Sequence, residues 1–206
     1  MTDNANAVAS VDINRYIGGL GQLVKDYIAQ GYEPYLMSFM FKLAMLENRS
    51  KDQQMRGEVS RVYSRFLTEC LRYPWSKHNL GNRPVLIACP DWPVWKRNKQ
   101  DQIRVLPWEG AHWGGILLVP PKNDLNVGVK DHFETVKRKS YVRAGLPLSR
   151  IHVEHISYRP SLATAYALKS LARRRCSFDD LLIFPLSRSE RPKNRLVGNS
   201  KLSHQS

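Results

Sequence analysis

Cysteines are few in this sequence and widely spaced. Cys70, Cys89 and Cys176 form neither a CxxC pair nor an even set, which argues against a cysteine zinc site and a disulfide framework. The chain also lacks a long apolar run and a signal-peptide pattern. We therefore expect a soluble, reduced, cytoplasmic protein with no membrane partner.

A nucleotide-binding loop is missing as well. Gly18, Gly19 and Gly21 are not followed by the Lys-Ser/Thr pair of a Walker-type phosphate loop. No helicase half and no internal repeat can be recognised. We therefore expect no ATP-driven motor in this chain.

Acidic residues are scarce relative to basic ones. The 206 residues include 32 Lys+Arg against 18 Asp+Glu, which gives a formal net charge of +14. A positive excess of this size attracts polyanions and speeds their encounter with the protein. The composition therefore indicates an acidic partner, and nucleic acid is the one we expect, with the protein associated with the nucleoid.

The length suits one domain large enough to bury a core. We expect a disordered N-terminus over residues 1–11 and a single domain over 12–186. Asp12 is a candidate cap for an N-terminal helix that stops at Gly31. From residue 187 to 206 the chain has hardly a large apolar group, which predicts a basic disordered tail.

Apolar patterns predict alternating strands and helices. An apolar stripe from Met55 to Cys70 predicts an amphipathic helix, and a charged helical segment follows at 131–143. Short apolar runs predict strands at 35–41, 84–89, 112–120, 151–156 and 181–184. This order predicts an α+β fold with a mostly antiparallel sheet of four or five strands and flanking helices. We expect the 151–156 strand to lie beside the 112–120 strand.

The most informative motif is Tyr166-Ala167-Leu168-Lys169. Residues three apart on a helix share a face, so Tyr166 and Lys169 should point into one volume. A tyrosine that attacks a phosphodiester needs such a cation, which favours the phenolate and steadies phosphate oxygens. The alternative is a helix-surface tyrosine next to a solvated lysine. We expect the same helix to continue through Arg173, Arg174 and Arg175.

His112 opens the apolar strand His112-Trp113-Gly114-Gly115-Ile116-Leu117-Leu118-Val119. An imidazole at this position can bind a divalent ion, or it can hydrogen-bond to backbone or water. The order of a first strand, this histidine strand and the YxxK helix resembles the HUH endonucleases. These include the rolling-circle replication initiators and related relaxases and transposases of mobile genetic elements. The resemblance covers residues 32–176.

The resemblance implies a nuclease that nicks and joins single-stranded DNA at an origin. A divalent metal, Mn or Mg, bound by His112 would polarise the scissile phosphate. Tyr166 would attack and remain linked to the 5′-phosphate, with Lys169 positioning phosphate or phenolate. As a replication initiator, the protein would depend on a host helicase and other host replication proteins.

The sequence departs from the family pattern at Gly114. The family's second motif has two histidines two residues apart on one strand face, and glycine cannot bind a metal. Substitute ligands would be Glu109, just upstream of His112, or residues of the later strand: Glu154, His152 and His155. Alternation puts His152 and Glu154 on one face of that strand.

Aromatic and basic residues are interleaved before the histidine strand. Trp92 and Trp95 are followed by Lys96 and Arg97, a combination that suits single strands because bases stack on rings while cations follow the backbone. One or both tryptophans could instead belong to the core. Together with Arg173, Arg174 and Arg175, these residues are the predicted nucleic-acid-binding set.

Two other functions fit the same residues. The first is a non-catalytic DNA-binding regulator of the same fold, in which Gly114 marks the loss of nicking. The second is a basic RNA-binding protein in which the YxxK motif is a coincidence and the aromatic residues stack on bases.

Overall fold

A computed structural model describes residues 3–42, 45–46, 51–91 and 112–185, with side chains from Ile13 onward. The chain begins with helix α1, strand β1 and helix α2, and strands β2 and β3 follow. Three short helical segments then precede β4, and the tyrosine region and β5 come last. The bounds are α1 Asp3–Ala29, β1 Glu33–Phe41, α2 Lys51–Cys70, β2 Val85–Asp91, β3 His112–Val119, α3 Val129–Asp131, a π-helical turn His132–Val136, α4 Arg138–Tyr141, β4 Leu148–His155, α5 Pro160–Ala167, α6 Lys169–Ala172 and β5 Leu182–Phe184.

The five strands form one sheet in the order β4-β1-β3-β2-β5. All four neighbouring pairs are antiparallel, which confirms the predicted α+β class. The prediction that β4 adjoins β3 is wrong, because β1 lies between them. This order makes β3 the central strand and β4 an edge strand.

Each face of the sheet packs against a different set of helices. On one face, Phe39 and Trp113 belong to the cluster that includes Phe66 of α2. On the other, Ile87 and Ile116 contact the cluster formed with α1, α5 and α6. Burying one large apolar side chain stabilises the fold by roughly 1.5–3 kcal/mol relative to leaving it exposed. Alternation along β2 and β3 therefore decides which side chains reach the tyrosine helices.

Helix α2 matches its prediction. Its buried residues follow the apolar stripe from Met55 to Cys70, as expected of an amphipathic helix on a sheet. Helix α1 begins at Asp3, so Asp12 lies inside it and is not its cap. Gly31 follows α1 with a φ of +88°, and this left-handed conformation, which glycine adopts readily, ends the helix as predicted.

The other predicted helices are interrupted. The 131–143 segment is divided into α3, a π-helical turn and α4. The tyrosine helix breaks at Leu168, where φ is −101° and ψ is 19°, and α6 ends at Ala172. The prediction that Arg173 to Arg175 continue this helix is wrong, since Arg174 adopts a left-handed φ of 54°. Within the described ranges, no helix is both long and apolar enough to cross a membrane.

Candidate active site where the tyrosine helices meet the central strands

Asp91 and His112 lie opposite each other in the β2–β3 register. Asp91 is the last residue of β2, and His112 is the first of β3. Their side chains point to the face that carries α5 and α6, and His112 Nε2 lies 2.8 Å from Asp91 Oδ2. This ladder position fixes an imidazole and a carboxylate at one edge of the two central strands.

Two residues of α6 complete the surroundings of Asp91. Lys169 Nζ lies 2.5 Å from Asp91 Oδ2, and Ser170 donates its hydroxyl to Asp91 Oδ1 at 2.9 Å. Burial alone would raise the pKa of Asp91, but hydrogen bonds from His112, Lys169 and Ser170 outweigh it and lower the pKa to about 2. Asp91 is therefore fully charged at neutral pH.

Lys169 connects this carboxylate to Tyr166. Its Nζ lies 4.4 Å from the centroid of the Tyr166 ring, within the range of a cation–π contact. Burial lowers the pKa of Lys169, but Asp91 and Tyr166 more than reverse this and raise it. The ammonium is thus charged and held in place. Tyr166 itself is 60% exposed, so its hydroxyl is open to a substrate.

The structure therefore brings together three residues that the sequence predicted for one site: Tyr166, Lys169 and His112. The residue that links them, Asp91, was missed. The predicted strand ended at Cys89, two residues short of Asp91. Had the predicted strand been extended by two residues, the alternation of side chains along it would have put Asp91 on the same face as Cys89, next to the start of the histidine strand.

Gly114 is closely covered by the tyrosine helix. A Cβ atom at this position would lie 3.0 Å from the backbone oxygen of Ala167. The Cys89 thiol donates to that same oxygen at 3.5 Å. The place that a second family histidine would occupy is thus filled by the backbone next to Tyr166. A larger side chain at residue 114 requires this backbone to move.

The other predicted metal ligands of β4 lie away from His112. In the register, Met40 lies opposite both His112 and Arg150, whereas His152 and Glu154 pair with Ser38 and Leu36 further along β1. The imidazole of His152 contacts Glu134 instead, with Nδ1 2.9 Å from Oε1. Glu154 is exposed.

His155 points to the opposite face of β4 and packs edge-on against Tyr35, with ring centroids 5.2 Å apart. Glu109, Trp92, Trp95, Lys96 and Arg97 lie outside the described residues. The structure therefore gives no side-chain placement for the predicted tryptophan and basic cluster.

The described residues do not fit the metal centre that the resemblance implies. No cluster of three or more His, Cys, Asp or Glu side chains able to hold an ion occurs among them. His112 and Asp91 offer two donors, but Asp91 Oδ2 already contacts the ammonium of Lys169. A cation at this carboxylate would have to displace Lys169 or be repelled by it.

Three exposed arginines surround the end of α6. Arg173 donates its backbone N–H to Lys169 at 3.0 Å, one turn after the lysine. Arg174 and Arg175 follow in the turn after α6 and are also exposed. Although the helix does not continue as predicted, all three residues are exposed and follow Lys169 within six positions of the chain.

Two thiols meet behind the site. Interaction with Cys176, together with burial, raises the pKa of Cys89. The same interaction lowers the pKa of Cys176, which is only partly buried. Cys176 is therefore the more reactive of the pair.

Comparison with known proteins leaves the site to be interpreted from its own geometry. A scan of family models and searches of curated proteins and of solved structures find no match to this chain.

Proposed function

We propose that this protein binds single-stranded DNA and transfers a strand to Tyr166, as a replication initiator does when it nicks an origin. The observation that carries the proposal is the exposed Tyr166 next to a lysine that Asp91 holds in place. A nucleophile and a fixed cation at this spacing suit attack on a phosphodiester. The strong positive charge of the chain supports a polyanionic substrate.

In this reaction the Tyr166 hydroxyl oxygen attacks phosphorus, and the bond from phosphorus to the 3′-oxygen breaks. The phenol proton passes to solvent, and the departing 3′-oxygen takes up a proton. One phosphodiester is exchanged for another, so the free 3′-hydroxyl can reverse the step and rejoin the strand. Lys169 stabilises charge on the phosphate oxygens as the new bond forms.

Asp91 positions Lys169 and is not the base. A carboxylate with a pKa near 2 is a poor proton acceptor at neutral pH. Its contacts with Lys169 and Ser170 instead fix α6 against the sheet. His112 contacts the same carboxylate and lies at the margin of the site with a partly exposed ring, where it can meet a phosphate. No step is assigned to a metal.

A second function is favoured by two observations. The backbone beside Tyr166 covers Gly114, and no third metal-binding side chain approaches His112 among the described residues. Both features suit a non-catalytic DNA-binding regulator with the same fold. In that case Tyr166 and Lys169 would contribute only to DNA binding and not to catalysis.

The two functions differ in covalent chemistry. A labelled single-stranded oligonucleotide is incubated with the wild-type protein and with Tyr166→Phe and Lys169→Ala, once with manganese and once with EDTA. We expect a labelled protein band that survives denaturation, is absent with Tyr166→Phe and is weaker with Lys169→Ala. A band that requires manganese would indicate a further metal ligand outside the described residues, where Glu109 is one candidate. If wild-type protein binds DNA and forms no band in either condition, the regulator is correct.

A further inference from the structure

The loop between α2 and β2 exposes two aromatic side chains. Tyr73 is 64% exposed and Trp75 is 66% exposed, whereas Trp113 of β3 is 2% exposed. Aromatic rings offer a large apolar surface, and in soluble proteins they are usually buried. Two neighbouring rings left open to solvent therefore indicate a surface that binds something.

The ring of Trp75 is supported from one side. The guanidinium carbon of Arg83 lies 4.7 Å from its centroid, and Arg83 is 2% exposed. Arg83 Nε donates to the carbonyl of Pro74 at 2.8 Å, which ties the arginine to the same loop. One face of the indole is thus packed on a fixed, buried cation, and the high exposure leaves the other face open.

The loop around Tyr73 is also braced. The carbonyl of Tyr73 accepts the backbone N–H of Ser76 at 3.1 Å and the side-chain amide of Asn79 at 2.9 Å. The guanidinium of Arg72 lies 5.6 Å from the Tyr73 ring centroid. The backbone that carries the two rings is therefore braced before a ligand arrives, which reduces the conformational entropy lost when a flat group stacks on them.

An open groove lies beside this loop. Its volume is about 960 Å³, and its lining includes Arg72, His78, Asn82 and Lys122. The one acidic side chain in the lining, Asp124, accepts the backbone N–H of Arg72 at 2.7 Å. Guanidinium, ammonium and amide donors next to stacking rings are the combination that single-stranded nucleic acid uses.

We propose that Tyr73, Trp75 and the adjoining groove bind single-stranded DNA as a second site, separate from Tyr166. A base stacks on the open face of Trp75, and Arg72 and Lys122 contact the flanking phosphates. The inference relies on the proposed function only for the choice of DNA. The loop leads directly into Val85, the first residue of β2, and Asp91 is the last residue of that strand. At about 3.3 Å per residue, β2 thus separates the end that follows the loop from the end that carries Asp91 by roughly 20 Å.

Two protein sites that bind the same DNA strand would favour long substrates over short ones. Contact at the second site raises the local concentration of the same DNA strand at Tyr166. It selects an unpaired strand, because a base can stack on Trp75 only when it has left its own stack. The second site therefore acts in substrate recognition and takes no part in bond breaking.

The test compares Trp75→Ala with Trp75→Phe, a matched control that keeps an aromatic ring. The dissociation constant for a fluorescent oligo(dT) is measured by anisotropy at one salt concentration, and adduct formation is measured at saturating DNA. Loss of one base stack, about 1–3 kcal/mol, should weaken binding by Trp75→Ala roughly 5- to 150-fold. Trp75→Phe should stay within about threefold of wild type. Both variants should form the adduct at the wild-type rate once saturated.

The same measurements distinguish failure of the second DNA site from failure of the proposed nicking function. If Trp75→Ala binds oligo(dT) as tightly as wild type, the second site is wrong, whatever happens at Tyr166. If wild type binds but forms no adduct, the nicking function fails and the second site stands or falls by the affinities alone. Quenching of tryptophan fluorescence by oligo(dT) should be smaller in Trp75→Phe than in wild type. Sedimentation that shows a wild-type dimer and a Trp75→Ala monomer, with equal DNA affinities, would assign the patch to self-association and overturn the proposal.

Discussion

Asp91 holds three side chains of the candidate site in place. Its two oxygens contact His112, Lys169 and Ser170, which come from one strand and one helix. A buried carboxylate is stable only when such partners offset the loss of water. The position of Lys169 beside Tyr166 therefore depends on the ionisation of Asp91.

Replacing Asp91 with Asn should give a pH-dependent loss of stability. The pKa of Asp91 is about 2 in the folded protein, below its ordinary value of 3.8, so its contribution is present above about pH 4 and is lost as pH falls towards 2. This difference in pKa corresponds to about 2 kcal/mol of folding free energy at neutral pH. Urea unfolding of both proteins at pH 7, 5 and 3 measures it.

The control is Glu154→Gln, which removes an exposed carboxylate from β4 and should leave the unfolding free energy nearly unchanged at each pH. A penalty for Asp91→Asn that is as large at pH 3 as at pH 7 would show that packing, and not charge, explains the role of Asp91.

Gly114 and Gly57 should respond to alanine in opposite ways. A Cβ at Gly114 would meet the backbone oxygen of Ala167 at 3.0 Å, whereas nothing lies within 4 Å of one at Gly57 in α2. Gly114→Ala should destabilise the protein by roughly 1–3 kcal/mol, and Gly57→Ala should stabilise it by roughly 1 kcal/mol. Thermal unfolding of the two variants tests this, and equal shifts in one direction would refute the close packing at Gly114.

Hydrophobic periodicity predicted most of the helices and strands. The apolar stripe of α2 specifies one buried helix face, and the continuous apolar runs of β2 and β3 specify strands that are buried on both faces, so the local pattern and the final structure agree there. The break at Leu168 and the division of residues 129–141 could not be predicted in this way. They depend on what the sheet and α2 place against those segments, and tertiary packing overrides local propensity there.

Local sequence patterns predicted the candidate site only in part. Tyr166 and Lys169 are three residues apart, so their contact follows from local geometry. Asp91 and His112 meet because β2 pairs with β3, and Glu154 lies elsewhere because β1 separates β4 from β3. Strand order is set by the whole fold, which short motifs do not encode.

Thiol reactivity reports on the contact between β2 and the segment after α6. The lowered pKa of Cys176 and the raised pKa values of Cys89 and Cys70 predict that one of the three thiols reacts quickly with a disulfide reagent in the folded protein. Cys176→Ser should remove this fast phase, and denaturation should expose every remaining thiol. A fast phase that persists in Cys176→Ser would contradict the arrangement.

In the whole molecule, the net positive charge and the arginines that follow Lys169 should both contribute to DNA binding. If the proposed function is correct, the net charge of +14 would attract DNA over long range, and the exposed arginines that follow Lys169 would contact its phosphates. Arg173→Ala should weaken binding to any single-stranded sequence. It should also reduce the slope of log affinity against log salt by about 0.7, because one phosphate is no longer neutralised by the protein.

Lys139→Ala is the matched control, because it removes an exposed charge from α4, which packs with the α2 face of the sheet through Tyr141. Salt titrations of the two variants and the wild type are sufficient. Equal slopes for Arg173→Ala and wild type would mean that Arg173 does not touch the DNA.

The central claim is that Tyr166 receives a DNA strand through its 5′-phosphate. The most direct measurement incubates the protein with single-stranded oligonucleotides of randomised sequence that carry a fluorophore at either the 5′ or the 3′ end, with manganese or EDTA. After denaturation, we expect a fluorescent protein band with the 3′ label only. We also expect a shortened free fragment with the 5′ label, and neither product with Tyr166→Phe. A protein band with the 5′ label, a band that persists in Tyr166→Phe, or no band under any condition would show that Tyr166 does not accept a 5′-phosphate.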